Sequence, residues 1–400
     1  MLTNKTVVLG VTGSIAAYKM ANVASMLVKL HADVHVIMTS NATNFINPIT
    51  FETLTGNKCL TDTFDRNFQF NVEHVSLAKR ADIFLVAPAS ANIIGKMACG
   101  IADDMLSTTL LAAKCPILVA PAMNTNMFTN SIVQDNIRKL HDYGMTIIEP
   151  ATGYLACGDT GSGKLPDENI LLEYILKEIA FPHDFDGKRI LITAGPTQEA
   201  IDPVRFITNH STGKMGYSIA RIAMLRGAKV TLVSGPVSLT PPMFCNVINV
   251  TSASDMYDAV MQEAPNNDVI IKSAAVADYR PVNVATEKIK KSDNNDDNKI
   301  DLERTTDILA TLGSNKKSGQ ILCGFSMETE NMLANSRAKL LKKNADIIAA
   351  NSLREDGAGF GVDTNVLTLI TKDSEEALSL MSKEDAAGKL LDKILNLFNM

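Results

Sequence analysis

Three groups of residues have the types and spacing to do chemistry. In "LACGDTGSGKLP" a thiol, Cys157, stands just ahead of Gly158-x-x-x-x-Gly163-Lys164. That spacing is one hydroxyl short of a phosphate-cradling P-loop. Leu165 stands where Ser or Thr would reach Mg2+, no strand-like run leads in, and Pro166 follows where a helix would begin. The near-match is accidental, and the glycines read as a flexible flap that carries Cys157. A thiol, with an ordinary pKa of about 8.5, can give up a proton near neutral pH.

A second group lies in the first half of the chain. In "GVTGSIAAYK", Gly13 and Ser14 stand where an apolar run gives way to a helical pattern. Free backbone N–H groups and the helix dipole attract phosphate at such a point. From those ten residues alone, a tight turn with a helix N-cap accounts for the pattern equally well. Thr39 and Ser40 follow the next strand as further hydroxyl donors. There is no GxGxxG, and no acidic ribose-binding residue after that strand. A flavin mononucleotide therefore suits the site better than NAD. "VEHVSLAK" puts His74 in a polar loop before a helix. "PASANIIGKMACGIADDMLSTTLL" carries Asn92, with Ser107 and Thr108 near a helix start. "PAMNTNMF" follows the strand "PILVA" directly, so Asn124 falls at a strand's carboxyl end, where open α/β sheets bind ligands. Each has an ordinary alternative: a lone His is commonly structural, and Met123, Met127 and Phe128 could be core.

The third group lies in the second half. "AGPTQEAIDPVRFITNHSTGKMG" is a long loop dense in Gly, Pro, Thr, Ser and Asn, offering donors to an anion. Structureless loops of that length in compact domains tend to be functional. Asp278, in "AAVADY", falls just beyond the strand "DVIIKS". One carboxylate there could carry Mg2+ together with substrate phosphates. "EKIKK" supplies Lys288, Lys290 and Lys291, and "SRAKLLKKNADI" supplies Arg337, Lys339, Lys342 and Lys343. Charge runs are ordinarily solvated faces. Lys339 and Lys343, however, are four apart and share a helical face, where two cations could hold a triphosphate.

The elements that must position these groups come in two similar sets. "KTVVLGVTGSIAAYK" opens at Lys5 and "KRILITAGPTQEA" at Lys188. Each is an apolar β-branched run, a Gly-containing loop and a helical pattern. The first helix is expected over Ser14 to Leu30, with Ile15, Val23, Leu27 and Leu30 on one face. The second copy carries about thirteen extra residues, "EAIDPVRFITNHS", above the strand ends. "DIFLVAP", "PILVAP" and "MTIIE" read as further buried strands of the first half. "DVIIK", "QILCGF", "DIIAA" and "NVLTLIT" do the same in the second. The expected class is α/β, with two tandem doubly wound domains over 1–182 and 188–400 and a linker over 183–187, where "FPHDFDGK" breaks the apolar pattern. "KSDNNDDNK" (291–299) is too polar to pack and reads as a mobile loop.

Bulk properties exclude several classes. The chain has 400 residues, 46% of them hydrophobic and 20% charged, enough apolar residues for ordinary cores. Its net charge of −6 argues against general nucleic-acid binding. No apolar run approaches the ~20 residues that span a bilayer. "MLTNKTVVLGV" has no cationic flank or cleavage site, so a cytoplasmic protein is expected. The cysteines at 59, 99, 115, 157, 245 and 323 form no CxxC pair, which leaves no zinc ribbon or thioredoxin-type motif.

"GSIAAYK", "HVSL", "PASAN", "PAMNTNMF" and "ACGDTGSGK" occur in that order in the first half. Together they resemble the flavin-dependent cysteine decarboxylases, and nearly the whole chain resembles the bifunctional bacterial enzymes of coenzyme A biosynthesis. The resemblance implies a flavodoxin-like phosphopantothenoylcysteine decarboxylase domain followed by a Rossmann-like phosphopantothenate–cysteine ligase domain. It implies FMN held by Gly13, Ser14, Ser40, Ser107 and Thr108. His74 matches the active-site base, Asn124 the residue that holds the substrate carboxylate, and Cys157 the proton donor for the final reduction. In the second domain it implies that CTP and Mg2+ activate 4'-phosphopantothenate as an acyl cytidylate, which the amine of L-cysteine then attacks. Asn209 matches the residue associated with that intermediate, and Arg205 lies in the same loop. Lys288 matches the lysine of the second half-reaction, on a closing flap. Ala274, Asp278, Asp307, Ile308, Phe325, Lys339 and Lys343 match CTP, substrate or metal positions, with Asp278 for the metal. Lys164 stands where Arg is common, Thr212 where Ser is usual, and Ser326 and Met327 where alanines are usual, so those contacts can differ.

Other readings are a chain with only one live domain, a flavin-binding regulatory protein, and an NAD(P) oxidoreductase. Intact His74, Asn124 and Cys157 weigh against the first. A chain ending in amphipathic "KLLDKILNLFNM" rather than a long acidic tail weighs against the second, and the missing GxGxxG against the third. The resemblance also implies a homo-oligomer, with decarboxylase trimers and ligase dimers closing into a dodecamer.

Overall fold

A computed structural model describes residues 1–64, 73–154, 158, 160–290, 299–328, 330–352, 359 and 361–398. The chain divides into two compact units, Met1–Phe181 and Pro182–Met400.

The first unit runs β1 (Thr6–Val11), α1 (Lys19–Lys29), β2 (Asp33–Met38), α2 (Pro48–Thr55), α3 (Glu73–Arg80), β3 (Ile83–Ala89), α4 (Ala91–Cys99) and α5 (Met105–Ala112). It continues with β4 (Ile117–Pro121), α6 (Thr125–Phe128), α7 (Ser131–Asp142), β5 (Thr146–Ile147), β6 (Ala151–Tyr154), β7 (Thr160–Lys164) and α8 (Glu168–Ile179). Strands β1 and β3 are buried along their whole length, as their unbroken apolar runs require between two helical layers. The five main strands are parallel in the order β2-β1-β3-β4-β5, the flavodoxin-like order. The chain leaves β1 for β2 on one side and crosses to β3 on the other. The crevice between the carboxyl ends of β1 and β3 is where this topology places a ligand. The expected helix from Ser14 begins as a 3-10 turn over Ile15–Tyr18, and α1 then buries Met20, Val23, Ala24 and Leu27 on one face.

The second unit runs β8 (Arg189–Ala194), β9 (Gln198–Ala200), β10 (Phe206–Thr208), α9 (Lys214–Leu225), β11 (Lys229–Ser234), β12 (Asn246–Asn249), α10 (Ala253–Glu263), β13 (Val269–Lys272), β14 (Tyr279–Pro281) and β15 (Leu302–Arg304). There follow α11 (Ile308–Asn315), β16 (Ile321–Glu328), α12 (Met332–Lys342), β17 (Ile347–Ser352), β18 (Thr364–Asn365), β19 (Thr368–Ile370), β20 (Glu375–Ala377), β21 (Met381–Ser382) and α13 (Lys383–Phe398). Its sheet is ordered β12-β11-β8-β13-β16-β17-β19-β20. The first six strands are parallel and have the 3-2-1-4-5-6 order of a dinucleotide-type fold; β19 and β20 add antiparallel at one edge. The switch point lies between β8 and β13. Helix α9 packs tightly on β8 there, because a Cβ on Gly216 would stand 2.6 Å from the Cβ of Ala194.

Three expectations are corrected. The residues between β8 and α9 are not a structureless loop: Gln198–Ala200 and Phe206–Thr208 pair as an antiparallel hairpin. The run "NVLTLIT" is broken between β18 and β19, which belong to different sheets, because Asn365 is buried against Asn351 at 2.7 Å. Two residues expected in the linker pack within the second unit. Phe185 is fully buried and donates its N–H to Arg226 O at 2.9 Å, while Asp184 accepts the Arg226 guanidinium at 2.5 and 2.8 Å.

Candidate active sites

In the first unit, Thr12 ties the loop after β1 to the end of β3. Its hydroxyl donates to Pro88 O at 2.6 Å and accepts the Ser90 N–H at 3.0 Å. Ser14 caps the 3-10 turn, accepting the Ala16 N–H at a long 3.3 Å. At the end of the neighbouring β2, Thr39 Oγ1 is buried and has no hydrogen-bond partner among the described residues. A buried hydroxyl left unsatisfied among the described residues, on the strand next to a turn that opens a helix, fits a phosphate as acceptor. The residues present thus suit the phosphate end of FMN.

A cavity of about 400 Å³ opens in front of this loop, lined by Ser14, Tyr18, Asn124, Tyr154 and Lys164 among others. Asn124 stands at the end of β4, as expected, and caps α6 by accepting the Asn126 N–H at 2.8 Å. Thr160–Lys164 forms β7 of the antiparallel hairpin with β6, so Lys164 ends a strand rather than opening a P-loop helix, and α8 begins only at Glu168. The hairpin lies directly on the residue before Asn124. Met123 donates its N–H to Gly163 O at 2.9 Å, and a Cβ on Gly163 would stand 2.3 Å from Met123 O. With φ at +120°, that position is open only to glycine. Cys157 follows β6 in the chain but lies outside the described residues, as do 291–298.

Other expected residues stand apart. His74 sits in the first turn of α3 rather than in a loop, half-buried, and does not line the Ser14–Asn124 cavity. Ser107 is buried in a capping box, donating to Asp104 Oδ1 at 2.8 Å while accepting the Asp104 N–H at 3.1 Å. Thr108 donates to Ala102 O at 3.4 Å. Ser107 lines a different cavity from Ser14, and Ser40 is exposed.

In the second unit, two cavities of about 400 and 280 Å³ open at the switch point. They share a wall made by Lys272, Val276, Asp278, Phe325 and Lys339. The larger also receives Asp307, Ile308 and Lys343, so the structure brings six expected residues together: Asp278, Asp307, Ile308, Phe325, Lys339 and Lys343. Lys343 pairs with Asp307, which also caps α11 by accepting the Ala310 N–H at 2.9 Å. Lys339 donates to Phe325 O at 2.8 Å, and burial pulls its ammonium pKa down. Among the described residues no group of three or more His, Cys, Asp and Glu could hold a metal. A metal at Asp278 would therefore take most of its ligands from substrate phosphates and water.

The smaller cavity is floored by the start of α9. Gly213 caps this helix with no side-chain hydrogen bond, so its first N–H groups are available to an anion. Ala274 lines it, its N–H held by Thr193 Oγ1 at 3.1 Å. Asn209 lines neither cavity but donates at 3.0 Å to the O of Ala275, which lines the smaller one. Arg205 and Lys288 line neither cavity. The Arg205 guanidinium is taken up by Asp202, at 2.5 and 3.0 Å, and by Ile289 O at 2.9 Å.

Sequence reasoning passed over Lys272, Lys214, Lys383 and Asn351, all on the smaller cavity. Lys272 had a readable signal: a cation closing an otherwise apolar strand, "DVIIK", sits where this topology binds ligands. Asn351 had none, because its Oδ1, without a partner among the described residues, becomes buried only through tertiary packing.

Fold and sites define an α/β flavoprotein-type unit followed by a dinucleotide-type unit with a double cavity. Family models agree: residues 1–180 match "Flavoprotein", and 185–398 match "DNA/pantothenate metabolism flavoprotein C-terminal domain". The chain is 48% identical over 400 residues to the coenzyme A biosynthesis bifunctional protein CoaBC of Bacillus subtilis (strain 168), covering 98% of this chain and 97% of that one. It is 44% identical to the protein of the same description from Vibrio parahaemolyticus serotype O3:K6 (strain RIMD 2210633), covering 99% of each. A solved C-terminal domain of such a protein is 46% identical over 54% of this chain and 98% of that one, with a TM-score of 0.47. The chain belongs to the family of bifunctional coenzyme A biosynthesis proteins.

Proposed function

We propose that this chain is a two-step enzyme of coenzyme A biosynthesis, with a CTP-dependent ligase over 188–400 and an FMN-dependent decarboxylase over 1–182. The observation that carries the reading is the double cavity with a shared cationic wall at the β8/β13 switch point. Two anionic substrates that must meet need such a place. The cavity that gathers Lys339, Lys343, Asp307 and Asp278 suits the CTP triphosphate with Mg2+, and the cavity at the start of α9 suits the phosphate of 4'-phosphopantothenate. The substrate carboxylate attacks the α-phosphorus, and pyrophosphate leaves with the electron pair of the broken P–O bond. Asn209, bonded to the lining residue Ala275, holds the acyl cytidylate. The amine of L-cysteine then attacks the acyl carbon, CMP leaves, and Lys288 assists this second half-reaction.

The product, 4'-phosphopantothenoylcysteine, passes to the first unit. FMN, when bound, would supply a reversible two-electron acceptor for the substrate thiol group, so that the carboxylate can be lost as CO2. Gly13, Ser14 and Ser40 hold its phosphate, with Thr39 added by its buried hydroxyl. Ser107 and Thr108 remain proposed flavin contacts, which would require the Asp104–Ser107 hydrogen bonds to be shared. Asn124 orients the substrate carboxylate, His74 serves as base, and Cys157 delivers the proton of the last reduction, giving 4'-phosphopantetheine. A cytoplasmic homo-oligomer, built from decarboxylase trimers and ligase dimers, completes the proposal.

Lys288→Gln tests the assignment of the two half-reactions. It should release pyrophosphate from CTP and 4'-phosphopantothenate yet form little amide with cysteine. Equal loss of both steps would remove Lys288 from the second half-reaction.

A further inference from the structure

Lys272 is the one cation on the shared wall that no expectation covered. It ends β13, the strand next to β8 at the switch point, and lines both cavities. Its ammonium has three donors, and among the described residues its hydrogen bond is a long one, 3.5 Å, to Ala274 O. The charged groups that reach it are Lys339, which repels it, and Asp278 and Asp307, which attract it. Asp307 is already paired with Lys343, and Asp278 has an exposed carboxylate at the cavity mouth. Two desolvated ammonium groups on one wall are unfavourable in the free protein. Burial, and then the Lys339 charge, push the Lys272 ammonium pKa down to about 8. Such an arrangement is relieved when an anion enters between them.

We propose that Lys272 is a further substrate-binding residue of the second unit, contacting the attacking carboxylate and the α-phosphate oxygens where the two cavities meet. This rests on the ligase reading above. As the new O–P bond forms and the bond to the β-phosphate breaks, negative charge gathers on the α-phosphate oxygens. An ammonium fixed there and short of hydrogen bonds stabilises that charge more than it stabilises either separate substrate.

The test uses the full chain and Lys272→Met, with CTP, Mg2+, 4'-phosphopantothenate and L-cysteine, and reads pyrophosphate release. The variant should release pyrophosphate about 100-fold more slowly in kcat. Its KM for CTP should move only about threefold, because Lys339 and Lys343 still hold the triphosphate. Its substrate-free melting temperature should be equal or higher, because a repelling, desolvated charge has been removed. Lys272→Arg should recover part of the rate. A kcat within threefold of the parent, or a variant that melts well below the parent or fails to fold, overturns the proposal, the latter by making Lys272 structural. If the parent chain itself releases no pyrophosphate, the ligase reading falls first and takes this proposal with it.

Discussion

The carboxylate of Asp202 accepts the backbone N–H of Ile289 at 3.1 Å, across 87 residues of chain. Arg205, itself gripped by the same carboxylate, donates to Ile289 O at 2.9 Å. A second tie, from the Ala285 N–H to Ile201 O at 3.0 Å, fixes the segment that carries Lys288 against the loop that carries Arg205. Arg205, expected to meet substrate, instead holds down the next residue after the proposed catalytic lysine. Asp202→Ala should therefore leave pyrophosphate release within about threefold of the parent, while amide formation falls about tenfold or more through a misplaced Lys288. Rapid-quench measurement of the two half-reactions separates these. A parallel fall in both would make the clamp a general stability element.

The same clamp predicts a pH response. Hydrogen bonds from Arg205 first, then from the backbone N–H groups of Val204, Ile289 and Arg205, hold the Asp202 carboxyl far below the usual carboxylate range. A depressed folded-state pKa gives stability that is complete above the unfolded value of about 3.9 and is lost as the pH falls through the lower folded value. Between pH 5 and 8 the ratio of amide formation to pyrophosphate release, compared between parent and Asp202→Ala, should stay constant. A ratio that drifts across that range would mean the clamp titrates there.

Gly163→Ala should dislodge the hairpin that leads to Cys157. A methyl group there meets Met123 O and demands an unfavourable φ, costing about 1–3 kcal/mol. Decarboxylation should fall sharply with flavin still bound and ligation unchanged. Assays of both half-activities with a flavin absorbance spectrum check this; unchanged decarboxylation would separate the hairpin from the site.

Thr39→Val replaces a buried hydroxyl that has no partner among the described residues with a group of the same shape. The free protein should not lose stability. FMN affinity should fall about tenfold or more, the effect of one hydrogen bond to a charged phosphate. Flavin-fluorescence titration reads the affinity; an unchanged value would place the phosphate elsewhere.

Much of this arrangement was legible in the sequence because it is local. The repeated strand–loop–helix openings, Asn124 after "PILVA", Asp278 beyond "DVIIKS" and the i, i+4 pair Lys339 and Lys343 depend only on residues near one another in the chain. What escaped is set by distant partners. The engagement of Arg205 depends on Ile289, 84 residues on, and the importance of Lys272 depends on a cavity wall assembled from β13, β16 and α12. Ser107 is a different case. Its capping box with Asp104 was readable as Asp-x-x-Ser at a helix start, and it competes with the flavin contact that the family resemblance implies for Ser107.

The most direct test of the two-step activity is mass spectrometry of the products formed by the purified, FMN-loaded chain from 4'-phosphopantothenate, L-cysteine, CTP and Mg2+. The result expected is 4'-phosphopantetheine with CMP and pyrophosphate. With Cys157→Ser, decarboxylation should still occur, but the product should stop at the unsaturated enethiol. Accumulation of 4'-phosphopantothenoylcysteine by the parent chain would contradict the decarboxylase half, and recovery of unchanged substrates would contradict both halves.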